Sequence, residues 1–418
     1  MTRRRVLIAL AVVLALALIA AAGLAAAWWW NEQETQDIRG SSTEEFIATE
    51  RITTRAEEVI EAEPWPIYGL TPQRTRNPVE FDHGPPYRRL WTVDGRQLLE
   101  FPPVIAYGHL YLSNIRGRFM AIEAETGEIA WRRDFGYWSA ASPAVGGGVI
   151  YQPLMNRHGS ERGPSSGLLV AVDARTGEDI WRFRAGAVES SPLLVDGVLY
   201  VGTFDRRLYA LDAETKEELW SFETGDAVKG GPAYWRGMVF TGSYDGKVYA
   251  LDARTGRLRW SSEGQAGLFG AGTFYATPTV AYGRVFIGNT DGKVYAFGAE
   301  SGELLWSQST GGYVYSSAAV ADRTVFVGSY DRRLYALDAA TGDVKWSFEA
   351  NESISGAPTV MGGLVYFSTF GARTYALDVR NGREQWRFPD GRYTPLVADE
   401  DRVYLVGHKK LYALEPRS

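Results

Sequence analysis

Side chains able to do acid–base, metal or ligand chemistry are spread thinly along this chain of 418 residues. The four histidines, His83, His109, His158 and His408, stand in unrelated contexts without metal-ligand spacing, so turn or surface roles are expected of them. Cysteine is absent, which removes disulfides, thiolate metal ligands, cysteine nucleophiles and a lipidated-cysteine anchor together. Aspartates recur at Asp173, Asp212, Asp252, Asp338 and Asp378, each ahead of a turn. A ring of acids is one reading of them; capping of backbone N–H groups two residues on is the better one. A more varied set lies three residues before a repeated Ser-Pro site, where the units read Glu100, Ala140, Glu189, Lys229, Tyr275, Tyr315, Ser355 and Arg392. Of these, Glu100, Glu189, Lys229, Tyr275, Tyr315 and Arg392 are candidates for a binding mouth, since a few convergent polar groups amid aromatic surface suit a ligand. A water-filled lining without specificity is the alternative, and no catalytic, cofactor-binding or metal residue is assigned.

Those positions recur because the chain itself does. Eight tryptophans, Trp91, Trp131, Trp181, Trp220, Trp260, Trp306, Trp346 and Trp386, follow one another with five of seven gaps at 39 or 40 residues and the others at 50 and 46. A period of this size signals a repeat architecture, and tryptophans so regularly placed signal packing. Each unit reads as four short strands: one after Ser-Pro, one ending Val-Gly, one like Leu-Tyr-Ala-Leu-Asp, and one holding the tryptophan, which together make a propeller blade. The Ser-Pro site occurs at Pro103, Pro143, Pro192, Pro232, Pro278, Pro358 and Pro395, with Ala318 standing in once, so eight units are expected. The eighth runs out before any tryptophan strand, whereas Trp91 precedes every other strand. Pairing the Trp91 strand with residues 411–415 closes the ring and leaves no open blade edge.

The expected fold is therefore all-β, an eight-bladed β-propeller of four-stranded antiparallel blades closed by its N-terminal strand. Glycine at 46 residues and aromatics at 13% fit short strands and tight turns. Asp245-Gly246 and Asp291-Gly292 suggest two-residue hairpins with positive φ at both centres. Thr-Gly pairs such as Thr255-Gly256 turn into the tryptophan strand, and Lys216 in place of glycine predicts a different turn in the third blade.

Ahead of the ring, Arg3, Arg4 and Arg5 precede an uncharged apolar run at 6–27, followed by Trp28, Trp29 and Trp30. Twenty-two residues at about 1.5 Å each cross a hydrocarbon core, with arginines cytoplasmic and indoles at the far interface. Residues 1–30 are read as an anchor in the cytoplasmic membrane, single-pass, with the ring extracytoplasmic; a cleaved signal peptide and a secreted or periplasmic ring are the alternative. Residues 31–63 are polar and acidic and read as a stalk, and 64–418 as the propeller. A net charge of −6 gives no prior for nucleic acid.

The phrase from Asp252 to Trp260 and its copies at Asp173, Asp212, Asp338 and Asp378 resemble the tryptophan-docking repeat of pyrroloquinoline-quinone (PQQ) type β-propellers. Glu123 and Gly298 depart from its aspartate. Trp65-Pro66-Ile67-Tyr68-Gly69 with Arg74-Thr75 is similar to the segment that often leads into such rings. The resemblance implies either a dehydrogenase that binds PQQ with calcium or a non-catalytic, BamB-like propeller, and the chain is more similar to the second. BamB-like proteins are lipid-anchored through a cysteine that this sequence lacks.

Charge and insertions point to one face. Second-to-third strand turns carry Arg206, Arg207, Lys247, Lys293, Arg332 and Arg333 as a candidate basic rim, while turns of the opposite face are acidic. Insertions at 152–167 and 264–276 emerge on the basic face, where loops of a repeat ring commonly bind. The function expected is a membrane-tethered, non-catalytic scaffold for an envelope protein or an anionic polymer; a PQQ- or small-ligand-binding enzyme or sensor is the alternative.

Overall fold

Strands such as Val198–Gly202 and Arg207–Asp212 are buried almost throughout, whereas outer strands such as Glu218–Glu223 are exposed or half-buried. That gradient is what sheets packed face to face around an axis require. The computed structural model describes residues 3–50, 63–159, 166–267, 270–393 and 396–417, with side chains from residue 13 onward. The stalk at 51–62, the insertion interiors at 160–165 and 268–269, and Pro395 lie outside the described residues.

Eight four-stranded antiparallel sheets form the ring. Seven consist of consecutive strands; in the eighth, Tyr87–Asp94 pairs with Lys410–Pro416, followed inward by Val403–Val406 and Leu396–Ala398. Trp91 stands opposite Ala413 in that ladder, so the N-terminal strand closes the ring as its spacing suggested. Blades are numbered here from the one built on Val104–Ala106, which makes this composite blade the eighth.

Each tryptophan docks on the following blade. The indole Nε1 of Trp91, Trp131, Trp181, Trp220, Trp260, Trp306 and Trp346 donates to a carbonyl of the next third-to-fourth turn at 2.9–3.1 Å. Trp386 faces the composite blade, where chain ends replace that turn, and instead packs edge-on against Tyr87 at 5.1 Å. Docking explains the turn glycine: a Cβ on Gly256 (φ 68°) would lie 2.6 Å from the Trp220 ring. Lys216 does not make a different turn, contrary to expectation. It adopts φ 61° and donates to Asp212 O at 2.9 Å, matching Gly256 to Asp252 O at 2.8 Å, because tryptophan docking dictates the backbone there. Asp173, Asp212 and Asp338 each accept backbone N–H groups two and three residues on, as capping residues should.

The Asp-Gly hairpins also differ from expectation. Among the described residues only the glycine of each pair is left-handed, Gly246 at 83° and Gly292 at 91°, and Gly246 N–H donates back to Ser243 O at 3.3 Å. One left-handed residue after a four-residue turn fits a bulged hairpin better than a two-residue loop. Arg206 (φ 68°) and Arg332 (φ 72°) occupy the same position without being glycine.

Two segments before the ring are built into it. Residues 65–76 fill the axis: carbonyls of Trp65, Pro66, Pro72, Gln73, Thr75 and Arg76 accept N–H groups from Ile105, Val145, Tyr234, Val280, Val320 and Val360 at 2.8–3.0 Å. Those donors belong to the innermost strands of six different blades, whose inner edges would otherwise be unpaired. Arg74 is fully buried and donates to Pro232 O (2.8 Å), Pro192 O (3.1 Å), Ser191 O (3.2 Å) and Tyr68 O. Burial, with Arg76 adding like charge, lowers its pKa to about 9. Arg76 donates to Ala318 O at 2.9 Å and lies over the Tyr68 ring at 4.7 Å. The axis is therefore not an open channel, because the chain's own backbone occupies its centre.

The described part of the expected stalk is not free-standing either. Residues 37–50 run down the outer edge of blade five: Ser307 N–H donates to Ile38 O (3.0 Å), Gly40 N–H to Thr341 O (3.0 Å) and Ile47 N–H to Tyr282 O (2.9 Å). Arg284, buried, donates to Ser41 O and Glu44 O at 2.6 Å, and Glu50 accepts from Trp235 Nε1 at 3.0 Å and from Tyr282 N–H. Before this clasp comes one helix, Arg3–Glu34. Its stretch Val13–Glu34 has a mean hydropathy of 2.0 and none of it is buried, which is long and apolar enough to cross a membrane.

Candidate functional site

Fourth-to-first connections and second-to-third turns meet on one face of the ring, and two repeated positions converge at its centre. The first is the sequence-derived set. Tyr275 donates to Glu189 Oε1 at 2.7 Å, Lys229 Nζ lies 3.9 Å from Glu189 Oε2, and the rings of Tyr275 and Tyr315 meet edge-on at 5.1 Å. Glu100 lines the same mouth, and Arg392 reaches it by lying over Phe370 at 5.3 Å and over the lining residue Tyr393 at 5.8 Å. All six candidates thus gather at one place; Ala140 contributes no polar group.

The second position escaped the sequence reading. Phe204, Tyr244, Tyr330 and Phe370 stand at matching points of the second-to-third turns, and their rings complete an aromatic belt. Lys229 Nζ sits over Phe204 at 4.5 Å and Tyr244 at 4.4 Å; Arg392 sits over Phe370 at 5.3 Å. Tyr315 touches Tyr330 at 5.0 Å, Tyr330 meets Phe370 at 5.6 Å, and Phe370 meets Tyr393 at 5.5 Å. The signal was present as an aromatic beside the turn in Phe204-Asp205, Tyr244-Asp245 and Tyr330-Asp331. Only closure of the ring turns separate turn residues into a continuous surface.

Beneath the belt lies a cavity of about 70 Å³ whose floor is Tyr68 of the axial segment. Burial and the neighbouring Glu189 carboxylate push the Glu100 pKa up to about 7, partly offset by Arg392. Glu189 is likewise raised by burial, opposed by Lys229 and by the Tyr275 hydrogen bond. A carboxyl whose folded pKa exceeds its unfolded value binds more protons folded, so stability declines as pH rises between the two. The Glu100 contribution is therefore expected to fall from about pH 4.5 to about 7 and to level off above. Urea unfolding across this range should show the decline in the parent and a shallower one in Glu100→Gln; parallel profiles would rule out a protonated Glu100.

The basic rim is less basic than its residues suggest. Arg206 and Arg207 share Glu223 at 2.9 and 2.8 Å, Arg332 and Arg333 share Glu349 at 3.6 and 2.9 Å, and Lys247 pairs with Glu263 at 3.0 Å. Lys293 is buried beside Asp37 of the clasp at 3.5 Å. Fourth strands end in glutamate on this same face, which a list of turn residues alone does not reveal. The insertion at 264–276 is also partly occupied, since Gln265 donates to Glu34 O (3.2 Å) and Gln36 O (2.8 Å). No group of three or more His, Asp or Glu able to hold a metal ion occurs among the described residues, and the histidines stay apart.

A family model described as outer membrane protein assembly factor BamB matches residues 86–156, 205–314 and 290–418. The chain belongs to this family. A BamB from Alteromonas naphthalenivorans is 32% identical over 114 residues, which is 24% of this chain and only 26% of that protein's length. The solved BamB of Moraxella catarrhalis superposes with a TM-score of 0.64 at 19% identity, over 79% of this chain and 100% of that one. The quinohemoprotein alcohol dehydrogenase of Comamonas testosteroni gives 0.71 at 15% identity, over 87% and 82%. A europium-containing methanol dehydrogenase gives 0.71 at 13%, over 85% and 98%. At such identities these structures share the BamB-family propeller fold, and activity must be argued from the site.

Proposed function

We propose that this BamB-family propeller is a membrane-anchored, non-catalytic scaffold that binds another protein of the cell envelope through its aromatic mouth. The observation that carries this reading is the axial segment. Filling the axis converts the mouth from the top of a channel into a shallow dish of tyrosine and phenylalanine with charged groups set in it. Aromatic residues and arginine around a few polar groups are the surface composition of protein contacts. The apolar helix supports anchoring, and relatives described as outer membrane protein assembly factors support an envelope partner. Paired rim charges give little support to an anionic polymer, and nothing in the composition favours nucleic acid.

The residues at the axis do not fit PQQ with calcium. No group of three or more His, Asp or Glu gathers among the described residues to hold the calcium ion, and buried Arg74 and Arg76 take up the axis itself. The proposal is tested by a photo-crosslinking residue at Tyr313, exposed on the mouth face, against one at Arg254, exposed on the opposite face, in intact cells. A discrete protein adduct from Tyr313 alone is expected; identical adducts from both positions, or none, would reject the mouth as the contact surface. Titration of the full chain with PQQ and calcium is expected to give no saturable binding, and dye-linked alcohol oxidation would overturn the non-catalytic reading.

A further inference from the structure

Blade five departs from its neighbours wherever residues 37–50 touch it. Its fourth strand, Leu304–Ser309, reads LLWSQS where blade six has VKWSFE, and Leu305, Trp306, Ser307 and Gln308 are all buried. Asp37 accepts from the N–H and Oγ of Ser309 at 2.8 and 2.6 Å and from Gln308 Nε2 at 3.2 Å. At the other end of the blade, Gly298 replaces the turn-capping aspartate of the repeat. A Cβ there would stand 2.3 Å from Glu45 Oε2, and that carboxylate accepts the Glu300 N–H at 3.4 Å. Glu45 therefore supplies from the clasp the acceptor that the blade has given up. Arg284, Gly298 and the Ser307-Gln308-Ser309 run, each unlike its counterparts in the other blades built of consecutive strands, mark the clasp as a permanent part of the blade.

The clasp has a direction. Asp37 lies with Lys293, Gln265 and Ser309 on the mouth face, whereas Gly40, Glu45 and Ile47 reach Thr341, Glu300 and Tyr282 on the opposite face. The helix thus joins the ring at the mouth face, its last carbonyl, of Glu34, held by Gln265 and Thr35 O by Lys293 Nζ. Residues from Val13 to Trp30 do not lie along the propeller, since Val13, Leu24 and Trp28 to Trp30 are exposed. Trp30 is four helical residues from Glu34, about 6 Å at 1.5 Å per residue. If the tryptophans sit at the membrane interface, no length of free chain separates that interface from the propeller.

We infer that the clasp fixes the ring with its mouth face against the lipid surface of its own anchoring membrane, blade five nearest the bilayer. This rests on the anchor reading of the helix. Exposed Tyr313, in the neighbouring connection of blade six, lies on the apposed face and is an amphipathic residue suited to headgroups. A partner using the mouth must then approach in the plane of the membrane.

Absence of cysteine permits single-site labelling of the full chain. Tyr313→Cys and Arg254→Cys variants carrying a fluorophore are reconstituted into vesicles of phosphatidylcholine and phosphatidylglycerol that contain a headgroup-linked quencher. Several-fold stronger quenching at position 313 than at 254 is expected, and a twenty-residue Gly-Ser insertion between Trp30 and Asn31, which leaves the clasp intact, should erase the difference. Co-flotation with equal quenching at both positions overturns the face assignment alone. A chain that does not float with the vesicles overturns the anchor and this inference together.

Discussion

Deleting Tyr87–Asp94 is expected to abolish cooperative melting of the entire ring, although the segment forms only one of its strands. The strand supplies the outer edge of blade eight, from Tyr87 opposite Pro416 to Asp94 opposite Lys410, and Trp91 is the sole indole that blade docks onto blade one. Without it the ring has an open edge and a missing inter-blade contact at one seam, and curvature no longer forces the ends together. Trp91→Ala is the milder case. Truncating a largely packed tryptophan and removing one of the two donors to Ala124 O, the other being the Tyr404 hydroxyl at 3.3 Å, should cost about 3 kcal/mol, read as a shift in urea midpoint without a change in slope. A deletion variant that still melts cooperatively near the parent's temperature would show that the ring is closed by something else.

Arg74→Ala is expected to be nearly as severe. The guanidinium ties Tyr68, Ser191, Pro192 and Pro232 carbonyls together in the buried centre of the ring. Its removal leaves those acceptors buried and opens a cavity at the axis, for a loss of about 3–5 kcal/mol. Arg74→Lys should recover little, because one ammonium cannot reach acceptors spread around a planar fork. Comparing the two by thermal unfolding separates charge from geometry: recovery by lysine to parental stability would mean that the positive charge, and not the fork, organises the axis.

Most of the fold was legible because it is local and repeated. The Trp91 strand could be placed against the last blade from counting alone, since one unit lacked a strand and one strand lacked a unit. The aspartate caps were legible for the same reason, each completing its bonds within three residues. Lys216 and Asp245-Gly246 misled because turn preferences were read in isolation, while docking of the preceding tryptophan and the flanking strands set the backbone. The rim misled through a similar omission: Glu223 and Glu349 belong to outer strands and become neighbours of the arginines only when hairpins close.

The segments before the ring were the least legible. Residues 31–63 look polar and sparse, yet Ile38, Ile47 and Glu50 find partners on blades four and five that lie more than 180 residues away in the chain. A trace was present in LLWSQS and in Gly298, each odd within its repeat, but an oddity in one copy does not name its cause.

By itself the sequence determined the number of blades, their strands, the seam and the membrane-length helix, because periodicity and ladder pairing act between residues close in the chain or equivalent in the repeat. Only the tertiary structure decided that the axis is filled, that the supposed stalk clasps one blade, and that rim charges are paired. Those outcomes depend on which unpaired edges and buried groups meet across the closed ring, and such meetings leave no periodic mark on the chain.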